Sequence, residues 1–303
     1  MIYIRVYDED GDWNVEDPIN LKATGRNRFE GWKCSVGQRN LYIDWDGNIF
    51  RGTCRVGGKV GNVYEEDFPM PDGWVTCDKK TCNCVTEVQL PKAKDLQDPE
   101  RNSIIPMQDF PVYVQWDVGR RCNFDCSYCP SFVHNDHEEH QNLDILKDVV
   151  VRLHDSFREP ITFNFAGGEP TTHPDFIEWC EFIKKLGHTI NVQTNGAQVA
   201  SYWKKLAEVV NHISISVHLE FMTEKRLMQT INAIMETSCL IEVKIMAHPD
   251  HWDKAMRFKS LMEQIPLNKG VMLPLRTSLG RNTELMEYTP EQMKEMGTIN
   301  TPD

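Results

Sequence analysis

From Pro111 onward, short runs rich in β-branched and aromatic residues alternate with longer stretches whose apolar positions recur at helical spacing. The runs predict strands over 112–117, 161–165, 189–193, 212–217, 241–246 and 270–275, and the stretches between them predict helices over about 143–157, 175–186, 201–211, 223–237 and 252–264. Strands separated by helices of this length imply βαβ crossovers and a parallel sheet. Six strands fall short of the eight that close a TIM barrel. The pattern therefore predicts an α/β fold, a partial (β/α)6 TIM-like barrel over 108–285, followed by a tail over 286–303. In such sheets the chemistry sits at the carboxyl ends of the strands.

The first third reads differently. Residues 31–90 are rich in Gly, Trp and Asp with little helical periodicity. Within them 39–51 predicts a hairpin turning at Asp46-Gly47, because an Asp-Gly pair supplies the positive φ angles of a tight two-residue turn. A hairpin returns the chain, so Cys34 and Cys54 on either side of it are expected to approach each other. The segment 91–107 is charged and Pro-flanked without periodicity, which predicts a linker. Residues 1–90 are thus expected to form a small N-terminal domain containing a β-hairpin and a metal cluster, too polar to fold on its own core and held together by that metal.

Composition narrows the function classes. The 303 residues are 40% hydrophobic and 26% charged, enough to bury a sizeable core. Lys and Arg number 33 against 45 Asp and Glu, a formal charge of −12, which argues against a phosphate backbone as the main partner and so against general nucleic-acid binding. No run approaches the roughly 18 apolar residues of a bilayer-spanning helix. The start alternates like a strand and turns acidic at once, so no secretory signal and no membrane association are expected, and the predicted location is cytoplasmic. Ten Cys are far too few for a disulfide scaffold, and the cytosol keeps thiols reduced, so their clustering points to metal.

Cys122, Cys126 and Cys129 sit in Cys122-Asn-Phe-Asp-Cys126-Ser-Tyr-Cys129-Pro, immediately after the first predicted barrel strand. Three thiolates on one short loop suit three corners of a cubane iron–sulfur cluster and leave the fourth iron open to another ligand. Structural zinc prefers four closed ligands, commonly two separated pairs, and the nearby sequence supplies no obvious fourth. Ala166-Gly-Gly-Glu-Pro170 follows the second strand, Gln193-Thr-Asn-Gly196 ends the third, and Ile213-Ser-Ile-Ser-Val-His218 forms the fourth. The two glycines allow a backbone to approach a ligand without Cβ obstruction, and Glu169 offers an acceptor to an ammonium group. His218 and the Arg120-Arg121 pair stand close to this mouth but are at least as readily explained by ordinary hydrogen bonding and solvation. Cys180 and Cys239 read as buried structural thiols, and His248 and His251 as part of a turn.

The Cys-x3-Cys-x2-Cys triplet followed by Gly-Gly-Glu-Pro at the next strand end resembles the defining motifs of the radical S-adenosylmethionine (radical SAM) superfamily over about residues 110–280. By that resemblance Cys122, Cys126 and Cys129 bind a 4Fe-4S cluster whose free iron is chelated by SAM. Tyr128 would lie near the adenine, Gly167, Gly168 and Glu169 would meet the methionyl amine, and Asn195 and Ser216 would surround the ribose or carboxylate. The implied function is reductive cleavage of SAM to a 5′-deoxyadenosyl radical that abstracts hydrogen from a peptide, protein or small-molecule substrate, with a flavodoxin or ferredoxin as electron donor. A glycyl-radical-type activating enzyme and a non-catalytic metal-binding protein are the alternatives. The N-terminal Cys34, Cys54, Cys77, Cys82 and Cys84, with the Asp-Gly hairpin and Gly61-Asn62, resemble SPASM or twitch extensions, although these stand here before the barrel. That resemblance implies an auxiliary 4Fe-4S cluster with one thiol left over, or a cluster with an open iron, with Cys34 and Cys54 as ligands and the choice among Cys77, Cys82 and Cys84 open; structural zinc is the other reading of the same five residues.

Overall fold

In the computed structural model, residues 4–16, 21, 24–66, 69–94, 111–130, 132–276 and 284–301 are described. The chain divides into two compact units, Met1–Trp116 with Val149–Phe163 and Asp117–Asp148 with Asn164–Asp303. Among the described residues no helix is long and apolar enough to cross a membrane.

In the first unit, β1 (Ile4–Tyr7) and β2 (Trp13–Glu16) pair antiparallel. A small antiparallel sheet places β3 (Lys33–Cys34) between β7 (Val75–Thr76) and β8 (Lys92–Ala93). A second group runs β9 (Val112–Asp117), β4 (Asn40–Ile43), β5 (Asn48–Phe50), β6 (Lys59–Asn62), with β4 parallel to β9 and the hairpin partners antiparallel. A single-turn helix, α1 (Val85–Val88), precedes β8.

The predicted hairpin forms, but its turn is longer than two residues. Residues 44–47 make the loop, and only Gly47 takes a positive φ, +77°. The Asp44 carboxylate organises it by accepting from the amides of Asp46 (3.1 Å) and Asn48 (2.9 Å). The predicted linker is also corrected at its start: Lys92 and Ala93 are buried and paired with β3, while 95–107 lies outside the described residues. The expectation of a region without its own core does not hold either. Ile4, Leu21, Phe29, Val36, Val56, Val88 and Leu90 form an apolar cluster, and Cys34 and Cys77 are built into it.

The second unit contains the alternating pattern. Helix α2 (Leu143–Phe157) precedes β10 (Ile161–Ala166), and these two elements carry the chain between the units. Then follow α3 (Phe176–Lys185), β11 (Thr189–Thr194), α4 (Ala200–Val209), β12 (His212–His218), α5 (Glu224–Met235), β13 (Leu240–Ala247), α6 (Trp252–Met262) and β14 (Lys269–Pro274). The strands lie in the order β10, β11, β12, β13, β14, and the registers from β11 to β14 are parallel. The six predicted strands and five predicted helices fall within about two residues of these bounds. The predicted tail is structured: α7 (Pro290–Lys294), closed by a Thr289–Gln292 capping box, leads into β15 (Gly297–Ile299), which adds antiparallel to β14.

The periodicities explain these elements. In β11 burial alternates residue by residue, while α3 buries Phe176, Trp179, Cys180 and Ile183, an i, i+3, i+4, i+7 stripe. Trp179 is fully buried with its ring 4.6 Å from that of Phe165, and Cys180 and Cys239 are buried as expected. Trp179→Ala is expected to cost about 3–5 kcal/mol through the cavity it leaves, measurable as a lower urea midpoint at unchanged m value.

Candidate active site

The three cysteines of the Cys-x3-Cys-x2-Cys loop face one cavity of about 480 Å³ formed within the second unit at the carboxyl ends of its strands. Tyr128, Gly167, Gly168, Glu169, Asn195 and Ser216 line the same cavity, so every residue expected around SAM converges with the thiols.

The loop is held from several sides. The Cys122 amide donates to the Asn135 carbonyl (2.7 Å), and the Asn135 amide donates to the Arg120 carbonyl (2.9 Å), a short parallel bridge. Just beyond β12, the Glu220 carboxylate accepts from the Ser127 amide (2.9 Å) and hydroxyl. Phe124 stacks on Phe221 with ring centroids 4.7 Å apart. The two arginines beside the loop both engage Glu138: Arg120 pairs with its carboxylate at 3.2 Å, and Arg121 donates to its carbonyl at 3.0 Å.

The glycines do their work against this loop. The Gly168 and Glu169 amides donate to the carbonyls of Gly119 and Arg121, each at 2.8 Å. A Cβ on Gly168 would lie 2.4 Å from the Arg121 carbonyl oxygen, and one on Gly167, whose φ is +113°, 2.6 Å from that of Gly119. The close approach that requires glycine here is between two backbone segments of this chain, and both glycines also line the cavity.

Glu169 is also more committed than its sequence position suggests. Its carboxylate is 3% exposed. Oε1 accepts from the Thr171 amide (3.1 Å), the Thr171 hydroxyl (2.6 Å) and the Thr194 hydroxyl (2.8 Å), and Oε2 accepts from the Asn195 amide (2.6 Å). Burial pushes this carboxyl up, against the pull of those four donors. A carboxylate has about four lone-pair sites, so only Oε2 keeps acceptor capacity toward the cavity. Asn195 is tied down similarly: its amide nitrogen donates to Asn123 Oδ1 (2.8 Å), and its Oδ1 accepts from the Ala197 amide (3.0 Å).

His218, at the end of β12, is half-buried and lines the same cavity as the thiols. Its Nδ1 lies 3.3 Å from Cys126 Sγ and hydrogen-bonds the Tyr128 hydroxyl, whose ring stacks on the imidazole at 5.9 Å. Burial lowers its pKa to about 4, so the ring is neutral. His248 caps the short turn over Pro249–His251 by accepting from the Asp250 amide. Met246, Pro274, Leu275 and Arg276 also line the cavity and were not anticipated. Each lies at or just past a strand end, which is the only signal a single sequence offers.

Burial raises all three thiols, Cys126 to about 12 and Cys129 to about 11, with Cys122 moved in the same direction. Desolvation is the largest cause in each case. Such thiols keep their protons unless a cationic centre takes them, as a metal does. Three soft donors on one loop, beside a cavity large enough for further ligands, fit an iron–sulfur cluster with one open iron.

A second thiol site lies within the first unit. Cys34, Cys54, Cys77, Cys82 and Cys84 ring a cavity of about 170 Å³. Cys34 and Cys77 belong to the unit's core, and Cys54 and Cys82 pack against it. Burial raises Cys54 and Cys82 to about 12 and moves Cys77 in the same direction. Cys84 does not join this packing; its sulfur lies 3.1 Å from the Thr53 hydroxyl oxygen. The donor set fits a thiolate-bound cluster.

Residues 116–235 match the family model of the Radical SAM superfamily. Over that stretch the chain is similar to the radical SAM superfamily. Members of that superfamily use a 4Fe-4S cluster and SAM. The chain is 33% identical over 84 residues to an S-adenosylmethionine-dependent nucleotide dehydratase of Selenomonas ruminantium, covering 28% of this chain and 30% of that protein. It is 30% identical over 125 residues to a GTP 3′,8-cyclase of Haemophilus influenzae, covering 39% and 36%. It thus spans about a third of the length of these curated relatives. Among solved structures, that of an archaeal TYW1 aligns at a TM-score of 0.34 and 14% identity, covering 54% of this chain and 64% of the other.

Gly168→Ala is expected to displace the cysteine loop, because backbone meets backbone and neither can yield cheaply; iron bound per chain after anaerobic reconstitution should fall. Glu169→Gln keeps the shape but turns an amide donor toward a donor, with a cost of about 1–3 kcal/mol readable by thermal or urea denaturation.

Proposed function

We propose that this protein is a radical SAM enzyme that cleaves SAM reductively and removes a hydrogen atom from a peptide, protein or small-molecule substrate. The observation that carries this reading is the convergence of three loop thiols and the expected SAM-contacting residues on one cavity. Cys122, Cys126 and Cys129 would hold the cluster, which supplies the electron that breaks the sulfonium C–S bond.

The chain's own residues set the conditions for that chemistry. The Gly119–Arg121 backbone, closed onto Gly168 and Glu169, fixes where the thiols sit. Glu169 presents one remaining lone-pair site through Oε2 toward a methionyl amine, while Tyr128 and Ser216 form walls. Met246, Pro274 and Leu275 give the cavity an apolar side that excludes water, and Arg276 adds a cation at the rim for an anionic group. A partial (β/α)6 barrel would carry this arrangement, and a flavodoxin or ferredoxin would deliver the electron.

Four of the five N-terminal thiols, Cys34, Cys54, Cys77 and Cys82, which pack on the unit's core, would hold an auxiliary 4Fe-4S cluster, leaving Cys84 over.

Anaerobic reconstitution followed by SAM and dithionite should release 5′-deoxyadenosine, and Cys126→Ala should abolish it. A cluster-loaded wild type that yields none, or a protein that takes up zinc at this loop in place of iron and sulfide, overturns the reading. In a Cys122→Ala/Cys126→Ala/Cys129→Ala background, Cys84→Ser should retain the remaining iron and sulfide, whereas Cys34→Ala or Cys77→Ala should lose most of it.

A further inference from the structure

The first unit contains a buried cation that its protein neighbours leave without a paired anion. Lys92, on β8, is 1% exposed. Its ammonium donates to the carbonyls of Glu87, Val88 (3.3 Å) and Leu90 (2.9 Å), and it lies 5.2 Å from the centroid of the Phe29 ring. These partners satisfy its hydrogen bonds but bring no net charge, and a buried ion without a counter-charge is costly. Among the described residues no carboxylate is ion-paired with it. Lys92 lines the same 170 Å³ cavity as the five thiols.

A carboxylate shares that wall. Glu87 is 3% exposed, and its Oε1 is taken up by the Thr53 amide and hydroxyl, each at 2.7 Å, rather than by Lys92. Both residues line the cavity with the five thiols, so charges of opposite sign stand on one wall beside them.

We propose that Lys92 and Glu87 are a pair of opposed charges that set the reduction potential of the N-terminal cluster, Lys92 raising it and Glu87 lowering it. The inference rests on the auxiliary-cluster reading above. Reduction adds one electron from an external one-electron donor to a cluster already made anionic by four thiolates. A fixed ammonium beside it stabilises the reduced form, and a fixed carboxylate opposes it. The same anionic cluster provides the counter-charge that Lys92 otherwise lacks. Both are positioning residues, acting on the cluster without ligating it.

The test is an EPR redox titration of the full chain in the Cys122→Ala/Cys126→Ala/Cys129→Ala background, so that only the N-terminal cluster reports. Lys92→Met should make reduction about tenfold less favourable, a shift of 59 mV to lower potential for a one-electron couple. Glu87→Gln should shift the potential upward, and Lys92→Arg should stay near the parent value. A structural disturbance would not produce opposite signs, so shifts in one direction, or no shift in a protein that retains its iron, overturn the proposal. Should Lys92→Met fail to hold the cluster, Glu87→Gln decides: an upward shift supports the assignment, and any other result rejects it. If the background protein binds zinc, or no iron and sulfide, the auxiliary-cluster reading itself has failed and the charge assignment falls with it.

Discussion

A buried carboxylate and a pair of glycines hold the candidate site together. Glu169 draws donors from its own turn and from the end of β11, 25 residues on, so the ends of two neighbouring strands are tied at one point. The backbone on its N-terminal side lies so close to Gly119–Arg121 that no side chain fits between them. The cysteine loop thereby acquires a fixed height above the strand ends. Its far side is then fastened by Glu220 and by the Tyr128–His218 contact. Without the first closure, these later contacts would have nothing to align.

The two thiol sites solve the same electrostatic problem in different settings. In both, burial favours the protonated thiol, so the site is poised to give up protons only to a cationic centre. The loop site surrounds its thiols with a large cavity, part polar and part apolar, fit for a cofactor and a substrate beside the metal. The N-terminal site sets its thiols into an apolar core, with a small cavity and two buried charges of opposite sign. The first suits exchange of ligands at an open position, and the second suits a closed centre that stores or passes an electron.

Much of this was legible before any coordinates. Strand alternation and helical stripes are local, repeated over several turns, and they located β9 to β14 and the helices between them within about two residues. The cysteine spacing is local too, and a Gly-Gly-Glu-Pro run one βα unit later narrows the chemistry to a single superfamily. What misled were features whose meaning depends on distant partners. Asp46-Gly47 suggests a two-residue turn, yet the Asp44 carboxylate reaches forward and enlarges it. Lys92 sits in a stretch that looks like charged linker, yet its side chain is drawn into a pocket of carbonyls. The residues after 285 have no barrel periodicity but still cover an exposed strand edge as β15.

The sequence by itself therefore determined the βα order, the two groups of thiols and the family they resemble, because periodicity and motif spacing are properties of adjacent residues. Only the tertiary structure decided that the glycines press backbone against the cysteine loop and that Glu169 is a tie between strand ends. It also decided that Lys92 shares a wall with five sulfurs. Those are questions of which polar group is left facing which, after water has been removed, and no one-dimensional pattern records the answer.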